Sequence, residues 1–246
     1  MLNTGTLIEN RAYILLENAI AHEFHSKIAL VSSFGTESAV LLHMVAQIDA
    51  HLPILFLDTG KIFPDTIAYR DGLINRLRLS NVRTVRPDQK HLSSYDPDGR
   101  LYAADPDLCC ALRKTMPLDA ALEPFDAWIS GRKRNQSETR RDILPRETGP
   151  NGMTIINPLY DWSKADITRY FAENALPPHP LEASGFTSLG CFSCTSRIRL
   201  GDNSRAGRWA GSGKTECGIF LPRLAMADET GDSRAERTEA PNTMRA

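Results

Sequence analysis

Short apolar runs alternate with longer stretches of helical periodicity, and this alternation limits the chain to few architectures. Ile28 to Val31, Ile54 to Leu57, Val82 to Val85, Ala127 to Ser130 and Met153 to Ile156 have the length of buried strands. Apolar residues at helical spacing predict helices over 7–24, 37–48, 64–79, 111–122 and 164–174. Strands alternating with helices make an α/β, Rossmann-like fold, a mainly parallel sheet with helices on both faces. Ligands of such sheets sit beyond the carboxyl ends of the strands. The turns Ser32–Thr36, Asp58–Gly60 and Gly131–Asn135 are therefore expected on one functional rim.

After Leu176 the pattern stops. Pro177, Pro178 and Pro180 break the helix, and Gly201, Gly207, Gly211 and Gly213 predict a mobile C-terminal arm. Residues 1–200 are expected to form the α/β domain, 201–221 the arm, and 222–246, small, polar and charged, a disordered tail.

Charge excludes some roles. Lys and Arg number 29 against 30 Asp and Glu, a net −1, so neither a nucleic-acid nor a membrane-surface binder is expected. No apolar run reaches the roughly 18 residues of a membrane span. The opening MLNTGTLIENRAY lacks the basic-then-apolar order of a secretory signal, so a cytoplasmic location is expected.

Five cysteines, Cys109, Cys110, Cys191, Cys194 and Cys217, read in a reducing compartment as metal ligands or catalysts before disulfides. A C-x-x-C pair suits zinc or an iron–sulfur cluster. Adjacent side chains diverge, so Cys109 and Cys110 bind one small zinc ion awkwardly, whereas a cubane offers each a separate iron. That favours a 4Fe–4S cluster over zinc or over inert buried thiols. Lys114 lies four residues after Cys110, on the same helical face, within reach of cluster sulfurs and an anionic substrate.

Other cations cluster on loops: Arg132, Lys133 and Arg134, then Arg140 and Arg141, then Arg205 and Arg208. In a chain without net positive charge they suggest an anion pocket, with solvated loop charges as the plain alternative. Ser33-Phe34-Gly35-Thr36-Glu37-Ser38 follows a strand and opens a helix, which suits phosphate. It lacks the spacing and lysine of a Walker A loop, and its plain alternative is a turn with Thr36 capping the helix. Cys217, unpartnered in sequence and near Lys214 and the arm's arginines, is a candidate nucleophile.

Taken in order, SSFGTES, LDTG, CCALRK, SGRKRNQSETR, INPLYDWSKAD, LGCFSCT, RAGRW and ECGI resemble the assimilatory adenylylsulfate reductases, relatives of the phosphoadenylylsulfate reductases. The likeness runs from about Ser32 to Phe220 and implies an adenine nucleotide alpha hydrolase-like fold. It implies that Ser33, Gly35, Asp58, Thr59 and Gly60 hold the nucleotide, while Lys114, Arg140, Arg205 and Arg208 neutralise the phosphosulfate. Cys217 would attack the sulfate sulfur, and thioredoxin or a glutaredoxin-like reductant would then release sulfite. The four other cysteines would bind one 4Fe–4S cluster per chain, positioning Lys114 without redox work. A homo-oligomer is expected as well. Two positions depart from the family: Phe220 stands where a histidine is usual, and Lys133 where an arginine is common. Reduction of 3′-phosphoadenylylsulfate or of both nucleotides, an ATP-pyrophosphatase-like adenylating activity and a zinc-stabilised binding module are the competing readings.

Overall fold

The computed structural model describes residues 4–150, 152–199 and 201–221, so the expected tail lies outside the described residues. Six strands, β1 (Ile28–Ser32), β2 (Ile54–Leu57), β3 (Val82–Val85), β4 (Ala127–Ile129), β5 (Arg146–Thr148) and β6 (Thr154–Ile156), form one sheet in the order β3-β2-β1-β4-β6-β5. Every neighbouring pair is parallel except β5 with β6. The helices are α1 (Thr4–Glu17), α2 (Ser38–Ile48), α3 (Pro64–Leu77), α4 (Gln89–Tyr95), α5 (Leu101–Ala104), α6 (Pro106–Cys110), α7 (Met116–Leu122) and α8 (Lys164–Glu173). None among the described residues is long and apolar enough to cross a membrane.

Successive side chains of a strand face opposite ways, so each central strand feeds two cores. Ile28, Leu30, Ile54 and Phe56 pack with α1, α2, α3 and α8. Ala29 and Leu55 face the other side, where Leu118 and Leu122 of α7 meet Trp128 and Ile155. Ile219 completes that second core, so the arm covers sheet that α7 leaves open. Fully burying a side chain such as Phe56 contributes about 1.5–3 kcal/mol.

The expected strands agree with the sheet to within a residue at either end. Three local readings need correction. The helix expected to start at Ala111 begins at Pro106, because the Asp105 carboxylate accepts the N–H groups of Asp107 and Leu108. It then widens into a π-helical turn, Ala111–Thr115, before α7. The helix over 7–24 likewise starts at Thr4 and ends in a π-helical turn, Asn18–Glu23. Thr36 does not cap α2; its hydroxyl donates instead to the Thr187 carbonyl oxygen at 3.0 Å. β5, α4 and α5 have no counterpart in the sequence reading.

Candidate active site

β1 is flanked by β2 on one side and β4 on the other, so the chain changes direction across the sheet beside it. The carboxyl ends of β1 and β4 therefore diverge and open a crevice. A cleft of about 240 Å³ lies there, lined by Ser33, Gly35, Thr59, Lys114, Arg140, Cys191, Arg205, Arg208 and Cys217 among others. Nine of the expected site residues thus share one cavity. Asp58 and Gly60 do not line it: the Asp58 carboxylate accepts the Gly60 N–H at 3.1 Å and pairs with Arg86 at 3.1 Å.

Phe34 shapes the first wall. Its φ of 49° lies in the left-handed region, which is costly for a bulky residue. Burial compensates: the ring is fully enclosed and meets Phe56 edge-on at 5.5 Å. With Phe34 in the core, Ser33 and Gly35 line the cleft.

The helix carrying the paired cysteines supplies the second wall. Arg113 and Lys114 are both buried in its π-helical turn but do different things. Arg113 donates from Nε to Asp96 at 3.0 Å and from Nη1 to the Thr59 carbonyl oxygen at 2.9 Å, tying the helix to the turn after β2. Lys114 faces the cleft. Burial alone would lower its pKa, but the neighbouring sulfurs of Cys191, Cys217 and Cys110 together outweigh burial and raise it.

The arm closes the third side. A β-bridge joins Thr195 to Arg208, the Ser196 N–H donates to the Gly207 carbonyl at 2.8 Å, and the Trp209 N–H to the Cys194 carbonyl at 3.0 Å. Lys214 pairs with Asp107 at the start of α6. Glu216 receives a two-pronged ion pair from Arg140, with Nε at 2.6 Å and Nη2 at 2.7 Å. Phe220 stacks on Trp128 at 5.5 Å, with the Arg132 guanidinium 4.1 Å from its ring centre. Position 220 therefore carries an aromatic anchor.

Between these anchors sits Cys217, half-buried. The neighbouring Cys110 sulfur, with the Lys114 and Arg208 charges, holds the Cys217 thiol well below its ordinary range against burial. A thiolate is the nucleophilic form. The neighbouring residue is small for a reason: a β-carbon at Gly218 would lie 3.3 Å from the Cys110 Cβ and from the Thr115 hydroxyl.

Many cations are already answered internally. Arg132 pairs with Glu147, and Lys133 with Glu37 at 2.8 Å. Arg134 donates to the Ile143 carbonyl at 2.7 Å, and Arg141 pairs with Glu138 on the surface. Burial first and the Arg140 charge second lower the Arg205 pKa to about 10. Arg208 Nε and the indole N–H groups of Trp128 and Trp209 are buried along the cleft with no hydrogen-bond partner among the described residues.

All five thiols are free. Burial pushes the Cys109 thiol up to about 11, and the nearby Cys191 and Cys194 add to the rise while Arg113 opposes it. The Thr59 hydroxyl lies 3.2 Å from the Cys191 sulfur. Among the described residues no three His, Cys, Asp or Glu side chains are arranged around a single metal ion. The donor set itself, four soft sulfurs beside a buried cation, fits the chemistry of an iron–sulfur cluster.

The sequence reading assigned no role to Glu216, Glu37, Trp209 or Gly190. Glu216 stood beside the candidate nucleophile, but its partner Arg140 lies 76 residues earlier, beyond the reach of any local pattern.

A family model described as the phosphoadenosine phosphosulfate reductase domain matches residues 27–197. An adenosine 5'-phosphosulfate reductase of Chelativorans sp. (strain BNC1) is 52% identical over 198 residues, 80% of each chain. One from Mesorhizobium japonicum is 45% identical over 213 residues, 87% of this chain and 84% of that one. A phosphoadenosine 5'-phosphosulfate reductase of Gloeobacter violaceus is 39% identical over 200 residues, 80% of this chain and 83% of its own. Among solved structures, the phosphoadenylyl-sulfate reductase of Candida auris in its phosphate complex superposes with a TM-score of 0.65 at 24% identity, over 78% of this chain and 93% of that one. An FMN adenylyltransferase of Candida glabrata gives 0.58 at 15% identity, over 92% and 82%. These two likenesses concern the fold.

Proposed function

The chain belongs to the phosphoadenosine phosphosulfate reductase family, and on that premise we propose that it reduces adenylylsulfate to sulfite and AMP, with Cys217 as nucleophile. One observation carries this reading: the Cys217 sulfur sits in a cleft at the strand ends, beside the charges of Lys114 and Arg208. The names of the two relatives at 45% and 52% identity support the choice of adenylylsulfate.

The nucleotide would enter at the β1 turn, against Ser33 and Gly35, with Thr59 across the cleft. Lys114, Arg140, Arg205 and Arg208 would meet the phosphosulfate and stabilise the charge that gathers on the departing phosphate. The Cys217 thiolate attacks the sulfate sulfur; the bond from sulfur to the bridging oxygen breaks, and its electron pair leaves with AMP. The product on the protein is an S-sulfocysteine. A thioredoxin thiolate then attacks the Cys217 sulfur, sulfite departs with the bonding pair, and a mixed disulfide forms. The second thioredoxin thiol, once deprotonated, attacks its neighbour and frees Cys217, so thioredoxin gives up the two electrons that sulfate gains. Movement of the arm would let Cys217 face first the substrate and then the reductant.

Cys109, Cys110, Cys191 and Cys194 would hold a 4Fe–4S cluster, which supplies a fixed charge beside Lys114. The free thiols suit a reducing cytoplasm. The test is sulfite release by the purified protein with reduced thioredoxin, using adenylylsulfate and 3′-phosphoadenylylsulfate side by side. Faster release from adenylylsulfate is expected; preference for the 3′-phosphorylated compound overturns the substrate choice, and no sulfite from either overturns the reading.

A further inference from the structure

Phe220, three residues after Cys217, presents a half-buried ring to two fixed partners. Trp128 of β4 stacks on it, with the centres 5.5 Å apart and the planes at 24°. The Arg132 guanidinium lies over the same ring, 4.1 Å from its centre. Neither support is loose. Trp128 is 2% exposed, and Arg132 pairs with Glu147, whose carboxylate also accepts a side-chain N–H of the buried Asn157 at 2.7 Å.

The ring is not sealed in. Phe220 and Arg132 line the cleft, and both also line a second cavity of about 430 Å³ that extends to Thr148, Gly149 and Ile155. With open space beside it, the ring is held by its face contacts more than by enclosure. Stacking and cation–π contacts are individually modest, so such a docking is reversible. One tight turn carries the ring's position to the sulfur: the Phe220 N–H donates to the Cys217 carbonyl oxygen at 3.1 Å across Gly218–Phe220.

We propose that Phe220 is a latch: docked on Trp128 and Arg132 it seats the Cys217 sulfur in the cleft before any nucleotide binds, and undocked it yields that sulfur to the protein thiol reductant. The proposal rests on the reading of Cys217 as nucleophile and deepens it, since one positioning residue then acts on the two halves of the cycle in opposite directions. Attack on the sulfate sulfur needs the docked state. Attack by thioredoxin on the sulfo-carrying sulfur needs the undocked one. The latch thus speeds the first half-reaction and slows the second.

The test compares wild type with Phe220→Leu, which removes the ring, and Phe220→Tyr, which keeps it. Trypsin releases Cys217 in the peptide Thr215–Arg223, so its alkylation by iodoacetamide in the substrate-free protein can be followed by mass spectrometry. Alkylation is read at about pH 9, where even an unperturbed thiol is largely ionised. Transfer of labelled sulfur from saturating adenylylsulfate to Cys217 is timed in a single turnover without reductant. Release of labelled sulfite is then timed after reduced thioredoxin is added to the sulfo-enzyme.

In Phe220→Leu, alkylation is expected to rise about tenfold, transfer to fall about tenfold, and release to quicken. Phe220→Tyr is expected to stay within about threefold of wild type on all three. Equal alkylation or unchanged transfer in Phe220→Leu overturns the latch, as does Phe220→Tyr behaving like Phe220→Leu. Slower transfer together with slower release also overturns it, being the pattern of a residue that merely supports the fold. Should Phe220→Leu not fold, Phe220→Met, which keeps apolar volume without the flat ring, gives the same three readings. If wild type takes up no sulfur label, the functional reading fails, and the alkylation comparison alone decides the latch.

Discussion

Gly190 backs directly onto the Arg208 guanidinium, whose Nη1 donates to the Leu189 carbonyl oxygen at 2.7 Å. A β-carbon at Gly190 would overlap both terminal nitrogens and the central carbon of that group. The overlapped atoms are the far end of a flexible side chain, so the arginine moves and the backbone stays. Gly190→Ala is expected to keep its melting temperature within a few degrees while slowing sulfur transfer about tenfold or more, the cost of losing one aligned cation. Transfer at the wild-type rate would show that Arg208 does not act on the reacting group.

Gly207 is tight for a harder reason. A β-carbon there would meet the Ser196 carbonyl oxygen, which is backbone and cannot turn aside. Gly207→Ala is therefore expected to break the bridge between Thr195 and Arg208 and to free the arm. Limited proteolysis checks this: the variant should be cut within 201–221 faster than wild type, with transfer lost together with the contact.

The arm shows what was legible in the sequence and what was not. Its glycines and its cysteine stood out, but its docking depends on partners far along the chain, Arg140 for Glu216 and Trp128 for Phe220. The central strands were readable because they are buried on both faces and hence nearly all apolar. β5 was not, since Arg146-Glu147-Thr148 is a polar edge strand that takes its shape from pairing with β6. The four-residue α5 is too short for a periodic signal, and the seven-residue α4, capped by Asp88, buries no side chain. Thr36 looked like a helix cap because local pattern cannot register a carbonyl acceptor 151 residues away.

His179 gives a pH dependence. Its ring is buried, Nδ1 accepts the Leu181 N–H at 3.2 Å, and Nε2 lies 3.0 Å from the Thr66 hydroxyl. Burial pushes its pKa down from 6.5 to about 4, opposed by the charge of Asp65. Between those values the unfolded chain binds a proton that the folded chain refuses, so this contribution to stability is complete above 6.5 and is lost as the pH falls toward 4. Urea unfolding from about pH 7 to about pH 5 should show a falling midpoint in wild type and a flatter line in His179→Gln. Parallel lines would contradict the assignment.

The four remaining thiols make a prediction about composition. Protein purified without oxygen should be brown and carry about four iron and four acid-labile sulfide per chain. Cys194→Ser should lose colour and iron while Cys217→Ser keeps both, because only the first removes a proposed ligand. One colourless zinc per chain would replace the cluster with a structural metal site.

The most direct measurement is a single turnover with sulfur-labelled adenylylsulfate and no reductant, followed by mapping of the label. The expected result is one labelled sulfo group on the peptide Thr215–Arg223, formed as one AMP is released. Label on another cysteine, or sulfite appearing with that peptide never labelled, would contradict it.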